Sequence, residues 1–157
     1  MLDITTKMTE SDWLRWQMRE RPSIAEQLNL WLRFAQDKKT YPNDEMCPWQ
    51  LSENGIEVLV RYRTNGMDEP CLVLSTIRLP KEIQRKGWLK SFLTYCINVN
   101  PWEEIIIEDV ENKDLFNFFK KLDFTIFDDF HSTTFMVNKQ AVIDLVTPPL
   151  GQYSDYL

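Results

Sequence analysis

Four consecutive residues, Gln84, Arg85, Lys86 and Gly87, stand between the apolar run CLVLSTIRLP and the segment WLKSFL. The glycine permits close approach of the backbone. Arg85, Lys86 and, one turn on, Lys90 place positive charge in a chain that is otherwise acidic. This set suits a phosphate group, because free N–H groups and the positive end of the dipole gather at a helix start. The plainer alternative is a solvated basic turn that starts a surface helix. A second candidate is the acidic group Glu108, Asp109 and Glu111. On a strand, Glu108 shares a side with Ile106, and a carboxylate shielded from water there can serve as a general base. Its alternative is a solvated acidic turn, favoured by the dipole of a following helix. His131, the single histidine, falls in DDFHSTT and reads as a hairpin residue rather than a catalyst. Cys47, Cys71 and Cys96 are widely spaced with no CxxC pair, so neither a disulfide framework nor a metal site is expected.

The elements that must position these residues follow from composition and pattern. The chain has 157 residues, 43% apolar and 13% aromatic, enough for a core of its own, and a single domain over 1–157 is expected. With 18 Lys plus Arg against 24 Asp plus Glu the formal charge is -6, which disfavours direct binding to nucleic acid or a membrane surface and suits an amine-bearing partner. The start MLDITTKMTE has no signal-peptide core, and no apolar stretch approaches the ~18 residues of a membrane span, so a cytoplasmic protein is expected.

Residues 9–38 read as two helices. Thr9 with Asp12, and Ser23 with Glu26, have capping-box spacing, and Pro22 marks the boundary between them. Ile24, Leu28, Trp31, Leu32 and Ala35 form a buried stripe, with Trp13 and Trp16 also assigned to the core. Residues 41–54 read as irregular. Strands are expected over 56–63 and 70–79, a helix over 85–98, a strand over 104–110, a helix over 113–122, and strands over 124–130 and 133–139. The near-continuous apolar runs at 72–79 and 105–107 suit strands covered on both faces. The class is α/β or α+β with a mixed sheet. The tail over 147–157, with Pro148 and Pro149, continues no helix.

The spacing of Ile77, Leu79, Gln84 and Gly87 resembles motif A of the GNAT N-acetyltransferase superfamily, an apolar pair on a strand followed by QxxGxG or QxxGxA. Farther on, Asn112, Phe119 and Phe124 fall at the spacing of that family's motif B, NxxAxxxYxxxGF. The likeness covers residues 71–137 in order and spacing. It implies a GNAT-like mixed central sheet flanked by helices, with two helices at the amino terminus.

The resemblance also implies acetyl-CoA as co-substrate. Its pyrophosphate would lie on the amides of Arg85, Lys86, Gly87, Trp88 and Leu89, and its pantetheine arm along the main chain of Ile77 and Leu79. Gln84, Asn112 and Phe119 belong to the same motifs. Acetyl transfer to an amine then needs a neutral nucleophile, stabilisation of charge on the thioester oxygen and an acid for the leaving thiolate. Glu108 is the candidate base. Three departures stand out. Leu89 occupies a position usually held by Gly or Ala and would crowd the pyrophosphate side. Asp123 replaces the glycine before Phe124. Phe119 replaces the tyrosine that many members use as the acid. The expected function is acetylation of a primary amine on a small molecule or protein, with a homodimer allowed. The alternative is a catalytically silent GNAT-like module that engages a basic protein.

Overall fold

The computed structural model describes residues 9–36, 49–63, 71–108, 110, 112–122, 124–126 and 134–138. Helices α1 (Glu10–Glu20) and α2 (Ile24–Gln36) come first. Thr9 caps α1 through a complete capping box with Asp12, and Ser23 accepts from the Glu26 amide at 3.2 Å at the start of α2. The chain then forms β1 (Trp49–Glu53), β2 (Ile56–Arg63) and β3 (Cys71–Arg78), followed by α3 (Trp88–Val99), β4 (Glu104–Ile107), α4 (Lys113–Lys121), β5 (Thr125–Ile126) and β6 (Phe135–Asn138). The described strands form one mixed sheet in the order β1-β2-β3-β4-β6-β5, in which, among the described residues, only β3 and β4 pair in parallel. The α+β class with a mixed sheet, flanking helices and two amino-terminal helices is therefore as expected.

Three boundaries in particular differ from the sequence reading. The segment read as irregular over 41–54 ends in a strand, because Asn54 (φ 50°) and Gly55 (φ 88°) make a two-residue turn with both residues left-handed. That turn matches the twist of a hairpin and pairs β1 with β2 from Glu53↔Ile56 to Trp49↔Val60. The helix expected over 85–98 starts at Trp88, since Arg85 (φ 62°) and Gly87 (φ 87°) are left-handed and cannot belong to it. The strand expected over 104–110 stops at Ile107.

Side chains alternate along the strands and divide the core. Val58, Val60, Leu72, Leu74, Ile105, Ile107, Phe135 and Val137 join buried residues from all four helices in the main cluster, Trp13 and Trp31 among them. Cys71, Val73 and Ile106 form a separate cluster on the opposite face.

Among the described residues, the outer edge of β1 is met by side chains and by no further strand. Trp13 Nε1 and Gln17 Nε2 donate to the Gln50 carbonyl at 3.1 and 2.9 Å. The fully buried Gln27 donates to the Ser52 carbonyl at 2.7 Å and accepts from the Ser52 amide at 2.9 Å, as a neighbouring strand would. Its remaining capacity is used by the Pro22 carbonyl at 2.9 Å and by Gln17 Nε2 at 2.7 Å. Glu53 in turn accepts from the Ile24 amide at 3.0 Å, so α2 and β1 hold each other.

Candidate functional site

The two parallel strands pair over three residues, and β3 then runs on past the end of β4. Leu72, Val73 and Leu74 pair with Ile105, Ile106 and Ile107, and the last rung is the Glu108 amide donating to the Leu74 carbonyl at 2.9 Å. Beyond it β3 continues only beside β2. Leu74 lies opposite Val60 but Ile77 opposite Val58, so β3 advances three residues while β2 advances two. That extra residue is a β-bulge, which bends a strand and raises its twist. It lies just past the last pair of β3 with β4, and β4 pairs with none of residues 75–78 among the described residues.

The loop after β3 is anchored at both ends. Ile83 is fully buried, its amide donates to the Pro80 carbonyl at 3.0 Å, and Gln84 Nε2 donates to the Leu79 carbonyl at 2.9 Å. Gln84 thus ties the loop to the end of β3. Gly87 is the N-cap of α3 and brings no side chain to cap it, and the first turn carries no acidic residue. The first N–H groups of a helix have no intrahelical acceptor, and here the positive dipole end meets Arg85 and Lys86, both exposed, and the half-buried Lys90. The site offers donors and positive charge.

The neighbouring side chains divide into those that face this region and those that do not. Trp88 and Leu89 are buried in the main core, Trp88 stacked on Phe92 at 4.9 Å, so they can contribute to the loop only through their amides. Leu89 therefore does not crowd the loop with its side chain, contrary to the sequence reading, because the helix turns it inward. Phe119 is fully buried, with ring centroids 5.5 Å from Phe118, 5.8 Å from Phe124 and 5.4 Å from Phe135. Asn112 caps α4, its Oδ1 accepting from the amides of Asp114 (2.9 Å) and Leu115 (3.2 Å). Arg85 Nη2 lies 3.9 Å from Asp114 Oδ2, a solvent-exposed contact of little energetic weight that still places the loop beside the start of α4.

Glu108 lies just past the end of β4, with its side chain 14% exposed. Its carboxylate is in contact with Arg61 Nη2 from β2, and Ser75 Oγ donates to it at 3.2 Å. Sequence reading missed Arg61 and Ser75. They become neighbours of Glu108 only through the sheet order, which sets three strands side by side. Ile77 is half-buried against the core beside Leu79. His131, Asp109, Glu111, Asp123, Cys47 and the tail lie outside the described residues. Cys71 and Cys96 are buried thiols, and burial pushes the Cys96 thiol up, away from nucleophilic use at neutral pH. Among the described residues no cluster of His, Cys, Asp and Glu suits a metal ion, and no helix is long and apolar enough to cross a membrane.

No family model matches the chain, and no curated protein matches it. Among solved structures it is similar to a tyrosine-to-phenylalanine variant of the AtaT toxin bound to the C-terminus of the antitoxin AtaR and acetyl-CoA, at a TM-score of 0.46 and 14% identity over 56% of this chain and 62% of that one. It is also similar to AtaTR bound with acetyl-CoA, at a TM-score of 0.48 and 13% identity over 59% of this chain and 62% of that one. The third is the KacTA–DNA complex, at 0.47 and 15% identity over 74% of this chain and 82% of that one. The chain spans about three fifths of the length of the first two.

Proposed function

We propose that the protein is an acetyl-CoA-dependent N-acetyltransferase acting on a primary amine of a small molecule or protein. The observation that carries this reading is the loop before α3. Left-handed Gly87 leaves the first-turn donors open beside basic side chains, next to the segment of β3 that has left β4. These features fit acetyl-CoA. The amides of Arg85, Lys86, Gly87, Trp88 and Leu89 would hold the pyrophosphate, Arg85 and Lys86 would neutralise it, and the main chain of Ile77 and Leu79 offers an edge for an extended amide-bearing arm. Gln84 keeps the loop in place, while Asn112 and Phe119 shape the adjoining start and underside of α4.

Acetyl-CoA when bound supplies the activated acetyl group. Transfer forms an N–C bond and breaks the C–S bond, the amine loses a proton and the thiolate gains one. Glu108, whose amide makes the last rung between β3 and β4, is the proton acceptor in this reading, although Arg61 and Ser75 occupy part of its capacity. Buried Phe119 supplies no hydroxyl, so the thiolate takes its proton from another group or water. The same fact favours the second reading, a silent module that binds the cofactor and a basic protein.

Titration calorimetry with acetyl-CoA tests the site, and absence of binding at millimolar concentration overturns it. Thiol release measured over polyamines, aminoglycosides and basic peptides separates the readings. Turnover that is lost in Glu108→Gln with cofactor affinity retained supports Glu108, and turnover that persists removes it from the site.

A further inference from the structure

Helix α1 uses one face and leaves the other bare. The inner face carries buried Trp13, half-buried Trp16 with its ring centroid 5.0 Å away, and Gln17, which joins Trp13 in donating to the Gln50 carbonyl. On the outer face Leu14 is 49% exposed and Met18 79% exposed, and among the described residues these are the large hydrophobic side chains that solvent reaches most. Residues at i and i+4 stand one above the other on a helix, so the two form a continuous apolar ridge of the kind that packs into the groove of another helix. The charges beside the ridge say which helix that is. Glu10 and Arg21, both exposed, stand on the same flank of it, the acid at the amino end and the base at the carboxyl end. Arg21 is the C-cap, its amide donating to the Gln17 carbonyl at 3.0 Å, so the basic end is fixed in place. On the other flank Arg15 is partly balanced by its own Asp12, whose carboxyl is lowered chiefly by the Thr9 hydrogen bonds and in smaller part by Arg15.

We propose that the outer face of α1 is a self-association surface, and that its occupant is α1 of a second copy of this chain laid antiparallel to it. Centred midway between Leu14 and Met18, a two-fold axis sets Leu14 of each copy against Met18 of the other and brings Glu10 of each to Arg21 of the other. A parallel arrangement would place Glu10 beside Glu10 and Arg21 beside Arg21, so the charges select the antiparallel one. Two helices of 11 residues bury less than the roughly 1,600 Å² of a standard interface, and the dimer is therefore weak and concentration-dependent. The inference stands apart from the acetyl-CoA reading, since it uses no residue of that site.

Sedimentation velocity on the full chain, from micromolar to millimolar concentration, tests this. The parent is expected to pass from monomer toward dimer across that range. Met18→Glu puts charge into the seam while changing a side chain that is already exposed, and should weaken association by about tenfold or more. Glu10→Arg and Arg21→Glu each set like charges together at both ends of the seam, and each should weaken it by roughly three- to tenfold. The double variant Glu10→Arg/Arg21→Glu exchanges the signs and should return association to within about twofold of the parent. Circular dichroism checks that each chain is folded, and should Met18→Glu not fold, Met18→Gln takes its place with the same direction expected. A parent that stays monomeric at millimolar concentration, a dimer that the Met18 variant leaves intact, or a double variant as weak as the single ones overturns the inference.

Discussion

Gly87 and Phe119 define what single side chains do here. At φ 87° a residue with a Cβ is strained by roughly 1–2 kcal/mol, so Gly87→Ala should lower stability by about that amount. It should also weaken acetyl-CoA by about tenfold or more through lost backbone approach, measured by thermal unfolding and calorimetry. Arg85 is left-handed too, at φ 62°, and Arg85→Gly should leave stability unharmed while reducing affinity through lost charge. A stability loss in Gly87→Ala alone, with weakened binding in both variants, would separate conformation from electrostatics. Phe119 gives a different expectation. Its ring is enclosed by three other phenylalanines, so Phe119→Tyr buries a hydroxyl in an aromatic cluster and should cost about 1–3 kcal/mol in urea unfolding. A variant as stable as the parent would show that the hydroxyl finds a partner, and it is then the variant in which to look for faster thiol release.

Among the elements, β1 depends on helices for its outer edge. Gln27→Leu would remove partners from the Ser52 amide and carbonyl, from the Pro22 carbonyl and from Gln17, and a loss on the order of 3 kcal/mol is expected by denaturant titration. A loss well under 1 kcal/mol would mean that water replaces the glutamine freely. Helix α1 carries a pH dependence of its own. Hydrogen bonds from the Thr9 backbone and side chain hold the Asp12 carboxyl below its usual value of 3.8. A group lowered in the folded state stabilises it above the unfolded pKa and ceases to do so as pH falls through the folded one. The first turn of α1 should therefore loosen as pH drops below about 3.8, followed by circular dichroism, and Asp12→Asn should flatten that part of the profile.

At the scale of the whole molecule, a ligand that binds only the folded chain must raise its melting temperature. Acetyl-CoA at a hundred times its Kd should add about 2.7 kcal/mol, and at the same concentration it should stabilise a Gly87→Ala chain markedly less. How much of this was legible in the sequence depended on how local the cause was. The caps at Thr9 and Ser23, the apolar stripe of α2 and the spacing of Ile77 to Gly87 are short-range patterns, and each formed the element expected. Asn54-Gly55 was equally local, with Leu51 and Trp49 on one side and Ile56 and Val58 on the other. The prolines upstream at 42 and 48 drew the reading toward irregular structure instead. The clasp of Arg61, Ser75 and Glu108 was not legible, since it needs the order of three strands and the end of their pairing. Nor was the task of Gln84, whose side chain serves the backbone of Leu79.

The extra residue in β3 bears on what insertions and deletions this lineage can tolerate. Removing either Ser75 or Thr76 would give β2 and β3 the same count between their paired ends, and the ladder could then run without interruption. Such a shortened chain would gain regularity in its sheet and lose the level at which Ser75 meets Glu108. Selection for thermal endurance alone would welcome that deletion, and selection for ligand binding would reject it. A library of single-residue deletions scanned across 71–78, scored separately for folding and for acetyl-CoA retention, should show the two scores moving apart at 75 and 76.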